Sequence, residues 1–294
     1  MRIFPDTRDL INLLQYDQPT SAQRFEDYLL AGNHQIVLSF MNVWELAGPL
    51  AEGAEFMELR HLFQSLERMP HICIRTVGVF GDEIQAALGA FTNGTAYQAP
   101  MPYVQRWDAT LESMPGQRFP STVDMLILKL DEIVYLMSRS NPGLFKVDPN
   151  HTASLQVQFQ NDRVQLRARQ APARDHFIHT IRNHAATRGI NLPRGREDEF
   201  AGWIYSDPNR CPGLRLNHEV YRALMQNYTD IPERGDFADL AHIGLIPYVD
   251  AATLDRRMRN YCNFAARELS KAGATVDYAG RVYEDLHDFM RMNP

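Results

Sequence analysis

Apolar positions alternate regularly between strand and helix periods at the ends of the chain and lose that alternation in the middle. Arg2–Phe4 is a short apolar run stopped by Pro5, which predicts a strand. Leu10, Ile11, Leu13 and Leu14 then fall on one helical face. Phe25, Tyr28 and Leu29 repeat that spacing and predict a second helix over about Ser21–Ala31, with Gly32-Asn33 as its stop. Gln35–Phe40 (QIVLSF) predicts a second strand, and Asn42–Leu50 a helix that Pro49 shortens. The order β-α-α-β-α predicts an α/β protein with parallel strands.

From about Ala51 to Pro232 the alternation is lost. His71–Thr76 (HICIRT) predicts a third strand, and Val123–Ser138 a mostly buried helix. Ala99–Pro120 contains Pro100, Pro102, Pro115 and Pro120 and predicts a loop, while Phe159–Arg196 is polar and arginine-rich. Regular order returns with a helix over Asp236–Leu245, a strand over Tyr248–Leu254 and a helix over Asp255–Lys271. Thr275–Tyr278 is then expected as a short last strand and Arg281–Met290 as a final helix. The organisation expected is a discontinuous core, 1–50 and 233–294, interrupted by a mainly helical insertion or subdomain, 51–232.

Composition narrows the function classes. Hydrophobic residues make up 45% of the 294 positions and charged residues 22%, which excludes a disordered chain. A formal charge of −6 argues against a globally basic nucleic-acid coat protein but leaves room for a local patch. Arginine supplies 27 of the 30 basic residues, a bias that suits bidentate phosphate recognition. Cys73, Cys211 and Cys262 form no C-x-x-C pair, so neither a zinc site nor a disulfide framework is expected. No run reaches the roughly 18 uninterrupted apolar residues of a membrane span, and a cytoplasmic protein is expected. Phosphate-loop, dinucleotide-binding and serine-elbow motifs are absent from the sequence.

The carboxylates carry the candidate chemistry. Ligands of open parallel sheets bind beyond the carboxyl ends of the strands. Asp6 follows the first predicted strand, Glu45 lies on the helix after the second, and Asp255 follows the late strand. Asp236 and Asp239 share one face of the helix before that strand. Each aspartate also suits a helix cap. As a converging set they suit Mg²⁺ or Mn²⁺, since unpaired carboxylates brought together repel one another unless a cation is present.

Three segments resemble PIN-domain proteins, a family of metal-dependent ribonucleases and their relatives. They are Ile3–Leu14 (IFPDTRDLINLL), Val37–Leu46 (VLSFMNVWEL), and Gly235–His242 (GDFADLAH) followed by Tyr248–Arg256 (YVDAATLDR). The resemblance covers 80–90 residues at the two ends. It implies a three-layer α/β/α PIN-like fold with a central mostly parallel sheet and a large mainly helical insertion. It further implies a metal-dependent endoribonuclease acting on single-stranded RNA, with Asp6 as the central ligand of Mg²⁺ or Mn²⁺. Glu45 and Asp236 or Asp239 would complete the first ion's shell. Asp255 would serve a second ion or position water. Asp236 lies 19 residues before Asp255 and Asp239 lies 16 before it, so the family's usual spacing of about 18 slightly favours Asp236. Thr7, Ser39, Asn42 and Thr253 are expected to support the ligands. The departure from the family pattern is the insertion of about 190 residues between Glu45 and Asp236.

RNA is the expected partner. A protein antitoxin or other regulator and a homo-oligomer are further expectations; a membrane is not. Arg256 and Arg257 follow Asp255 and are expected at substrate phosphate. The 163–196 stretch carries eight arginines, among them Arg174 and Arg182, against Asp175 alone. With Phe177 as a stacking face it could track a phosphate backbone. The competing reading is a catalytically weak or inactive PIN-like module that binds RNA or a protein partner through the insertion.

Overall fold

A computed structural model describes residues 1–16, 19–75, 78–104, 129–140, 153, 157–164, 173–227, 229–230 and 235–294. In chain order the elements that position the site are β1 (Arg2–Phe4), α1 (Thr7–Ile11), α2 (Pro19–Ala31), β2 (Gln35–Ser39), α3 (Phe40–Leu46), α4 (Phe56–Arg68) and β3 (His71–Ile74). They continue with α5 (Val79–Asn93), β4 (Tyr103–Val104), α6 (Leu130–Ser140), α7 (Ala173–Thr187), α8 (Glu197–Tyr205) and α9 (Pro212–Gln226). The chain closes with α10 (Asp236–Ile243), β5 (Ala251–Thr253), α11 (Arg256–Lys271), β6 (Val282–Tyr283) and α12 (Leu286–Met292).

The sheet has six strands in the order β4-β3-β2-β1-β5-β6, and every pairing except β3 with β4 is parallel. Ile36, Val37, Leu38 and Ser39 of β2 are all buried, as expected of a strand covered on both faces. Successive side chains of a strand point to opposite faces, and they join two different apolar clusters. Phe4, Val37, Ile74 and Ala252 pack with α5 and α7–α11. Ile3, Ile36, Leu38, Cys73 and Ala251 pack with α1–α4, α6 and α12. The molecule is therefore an α/β protein with its sheet between two helical layers.

Topology singles out one crevice. The chain steps outward from β1 to β2 to β3, then returns on the other side of β1 with β5 and β6. The direction of winding reverses between β1 and β5, which lie side by side with Ile3 opposite Ala251 and Phe4 opposite Ala252. Sheets of this kind bind ligands at the carboxyl ends of the strands flanking such a switch point.

Several expectations need correction. The 51–232 span is built into the core: it supplies β3 and β4 to the sheet and helices to both layers. The boundary at residue 50 cuts through this packing because β3 pairs with β2 along its whole length, from Ile36 opposite His71 to Ser39 opposite Ile74. Within the expected loop Ala99–Pro120, Tyr103–Val104 forms the antiparallel strand β4; residues 105–120 lie outside the described residues. The last strand is Val282–Tyr283 and not Thr275–Tyr278, because Tyr283 pairs with Thr253 while Tyr278 is buried in the core. The strand expected over Tyr248–Leu254 shrinks to β5, since Ile246–Tyr248 is a 3-10 turn around Pro247. Of the helix expected over Val123–Ser138, the part before residue 129 lies outside the described residues. All three cysteines are buried with no disulfide among the described residues, and no helix among them is long and apolar enough to cross a membrane.

Candidate active site

The five predicted acids converge at the switch-point crevice. Asp6 leaves β1 directly after Pro5, Asp255 leaves β5, Glu45 stands on α3 after β2, and Asp236 and Asp239 lie on α10. A hydrogen bond closes the crevice: the Asp6 N–H donates to Thr253 Oγ1 at 2.8 Å, tying the end of β1 to the end of β5. A buried polar bracket holds the β2 side. Ser39 and Asn42 form a capping box at the start of α3, with the Ser39 N–H and hydroxyl both 2.9 Å from Asn42 Oδ1. The Asn42 amide donates to Thr7 Oγ1 at 3.0 Å, and the Thr7 hydroxyl donates to Glu45 Oε2. Thr7, Ser39, Asn42 and Thr253 thus position the acids and their backbone.

Asp6 and Asp255 do cap helices. Asp6 Oδ1 accepts from the Arg8 N–H at 2.9 Å, and Asp255 Oδ1 from the Met258 N–H at 2.7 Å. Each cap uses one oxygen. The second oxygen has no protein donor among the described residues, so capping and ligation are compatible.

Electrostatics show that the acids face one another. Burial pushes the Asp239 carboxyl up to about 8, helped by the charges of Asp6, Asp255, Glu45 and Asp236. Burial also raises Asp6, against the lowering pull of the Arg8 N–H, while Glu45 raises it further. Glu45 is raised by burial and held back by the Thr7 hydroxyl.

The two α10 candidates differ in what neutralises them. Asp236 is buried and receives both terminal nitrogens of the Arg257 guanidinium, whose Nε donates to Asp230 at 2.8 Å. The Asp239 carboxylate has no hydrogen bond or ion pair among the described residues. Sequence spacing favoured Asp236; the ion pair favours Asp239 as the acid left to meet a cation.

Two groups without an assigned role in the sequence lie beside this set. His242 is buried, packs edge-on against Phe4 at 5.0 Å between ring centroids, and is pushed down to about 4 by burial against the opposing charge of Asp6. Asp9 is buried, with burial pushing it up to about 6 against the Thr253 hydroxyl and the Arg8 guanidinium. Both stand within the segments that carry the family resemblance. Their signal was position: His242 lies three residues after Asp239, and Asp9 three after Asp6.

The arginine-rich span offers less. Phe177 is fully buried against His218 and Tyr205 and cannot stack on a base, because its helix turns that side chain into the core. Arg182 pairs with Asp198 at 2.7 Å and Arg196 with Glu199 at 2.6 Å, while Arg163 donates to the Asn227 and Asp230 carbonyls. Arg174 lies across Gly202. Arg167 and Arg169 lie outside the described residues. Arg256 is exposed beside Asp255 and has no acidic partner among the described residues.

A divalent cation fits this donor set by chemistry: hard carboxylate oxygens, two of them half-used as caps, and one acid without a counter-charge among the described residues. Among the described residues no group of three or more His, Cys, Asp or Glu side chains stands ready-formed to hold a metal ion. Mg²⁺ does not need one, since it keeps several waters and takes one or two carboxylates.

The like-charge cluster has a consequence for stability. Glu83, buried elsewhere in the core, is pushed up by burial to about 7, and Asp239 to about 8. A carboxyl whose folded value is raised stabilises most below its unfolded value near 4, and that contribution fades as pH climbs through the folded value. Histidines pushed down by burial, His242 and His184, act in the opposite sense, mostly below their unfolded value of 6.5. The expected result in EDTA is a loss of about 1 kcal/mol between pH 7 and 8.5 by urea denaturation, with a shallower slope in Asp239→Asn.

Comparisons with protein-family models, curated proteins and solved structures return no match to the chain.

Proposed function

We propose that this chain is a PIN-like, metal-dependent endoribonuclease acting on single-stranded RNA. The observation that carries the reading is the convergence of acids from β1, α3, α10 and β5 on the β1/β5 switch point, with Asp239 left without a counter-charge among the described residues. Asp6, Glu45 and Asp239 would hold one Mg²⁺ or Mn²⁺ and Asp255 would serve a second or orient water. The bound cation supplies charge neutralisation at the phosphodiester and a more acidic water.

The chain's own residues do the rest. The Thr7 hydroxyl, itself held by the buried Asn42 amide, fixes one oxygen of Glu45. The Thr253 hydroxyl holds the Asp6 backbone, so the central ligand cannot swing away from β5. Arg257 neutralises Asp236 and removes one of the five negative charges from the crevice. Arg256, exposed next to Asp255, would meet a phosphate. His242, packed on Phe4 and pushed down to about 4 by burial, adds bulk without charge.

The test is cleavage of a labelled single-stranded RNA with Mn²⁺, with excess EDTA, and with Mn²⁺ restored. Cleavage is expected only with the metal, and Asp6→Asn and Asp255→Asn are expected to lose it. Activity indifferent to EDTA and to both substitutions would remove the site assignment.

A further inference from the structure

A cavity of about 690 Å³ beside this crevice is a groove between α9 and α11 that ends at the two arginines following Asp255. Its composition changes along its length. Arg256 and Arg257 stand at the crevice end, and Tyr261 and Phe264 further along. Arg256, Asn260 and Phe264 are spaced by four, so they form one stripe along the exposed side of α11. The stripe spans about 12 Å. Arg257 is already committed to Asp236 and Asp230, and the Tyr261 hydroxyl donates to Asp230 Oδ2 at 2.5 Å. That network ties α11 to Asp230 and to α10. Phe264, 45% exposed, and the exposed Arg256 and Asn260 are left facing outward from it.

We infer that this groove is a nucleotide subsite: it takes one residue of single-stranded RNA next to the scissile phosphate, with the base on the Phe264 ring and the phosphate toward Arg256. The inference rests on the nuclease reading of the adjoining crevice. A cation at the crevice end followed by an exposed ring matches the order of a nucleotide entering from its phosphate. An apolar peptide would leave Arg256 and Asn260 unmatched. The exposed ring offers a stacking face that accepts any base, while the Asn260 amide, with no partner among the described residues, can meet a base edge. Phe264 takes the stacking role that the buried Phe177 cannot.

The test separates binding from cutting. Anisotropy of a fluorescein-labelled single-stranded RNA decamer, measured in EDTA with the full chain, is expected to give about tenfold weaker binding for Phe264→Ala and near wild-type binding for Phe264→Trp. Arg256→Gln, a change at an exposed helix start, is expected to lower the salt slope of binding by about 0.7. Binding by Phe264→Ala within twofold of wild type, an unchanged salt slope in Arg256→Gln, or no binding by the wild type would overturn the subsite. Cleavage of the same RNA with Mn²⁺ is scored separately. Metal-dependent cleavage with unaltered Phe264→Ala binding removes the subsite and keeps the nuclease. Tenfold weaker binding without any cleavage keeps the subsite and removes the nuclease.

Discussion

Asp239→Asn is expected to lower metal-dependent kcat/KM by at least about 100-fold, while Asp236→Asn costs less than about tenfold. Loss of a residue that merely orients a metal ligand typically costs 10–100-fold, so loss of a ligand should exceed that range. The contrast follows from the partners. The Asp239 carboxylate feels the charges of Asp6, Asp255, Glu45 and Asp236 and has no cationic partner among the described residues. Asparagine there removes a charged oxygen donor and also relieves repulsion, so the folded protein becomes less sensitive to rising pH as its activity falls. Asp236 already has its counter-ion in Arg257. Its amide variant weakens a buried ion pair that Asp230 partly replaces, so a stability loss of about 1–3 kcal/mol is expected, with activity largely kept. Single-turnover cleavage beside urea denaturation of both variants gives the ranking. The reverse order would make Asp236 the ligand.

Glu83→Ala is expected to cost about 3–5 kcal/mol, because it strands three donors in a dry interior. Glu83 is fully buried. Its two oxygens accept from the Gly213 N–H at 2.6 Å and the Leu214 N–H at 2.8 Å, and the Tyr248 hydroxyl donates to the first of them. These N–H groups belong to the first turn of α9, where no helical carbonyl can reach them. The surroundings allow no substitute. Cys211 before the helix is in the left-handed region at φ 51°, and a Cβ on Gly213 would stand 2.4 Å from the Gly244 carbonyl oxygen. Burial holds the Glu83 carboxyl up near 7 despite these three donors. Glu83→Gln keeps one acceptor and is expected to lose about half as much. Urea denaturation at pH 6 measures both, and since α9 forms one wall of the groove beside the crevice, RNA binding should weaken in parallel with stability.

Much of the fold was legible because its signals are local. Arg2–Phe4 before Pro5, the apolar QIVLS run and the Asp255 cap of α11 each announce an element without help from distant residues. What was missed depends on pairing across the molecule. β4 is two residues long between prolines and exists because Val104 meets Cys73. β6 is set by Tyr283 meeting Thr253. The 51–232 span read as an insertion because its helices lack regular spacing between strands, yet its apolar residues fill both layers of the sheet. The site divides in the same way. Asp6, Glu45 and Asp255 were recognisable from where strands end. The choice between Asp236 and Asp239 was not, because spacing along the chain cannot reveal the arginine, 21 residues on, that neutralises one of them. Nor could the arginine count of 163–196 reveal that Arg182 and Arg196 already have acidic partners or that Phe177 is sealed in the core.

The central claim is that the acids at the β1/β5 crevice hold a divalent cation. Calorimetric titration of Mn²⁺ into the metal-free protein at pH 7.5 tests it without any assumption about substrate. Saturable binding at one or two sites, weakened at least about tenfold in both Asp6→Asn and Asp239→Asn, is the predicted result. Absence of binding in the wild type, or binding that both variants retain, would contradict it.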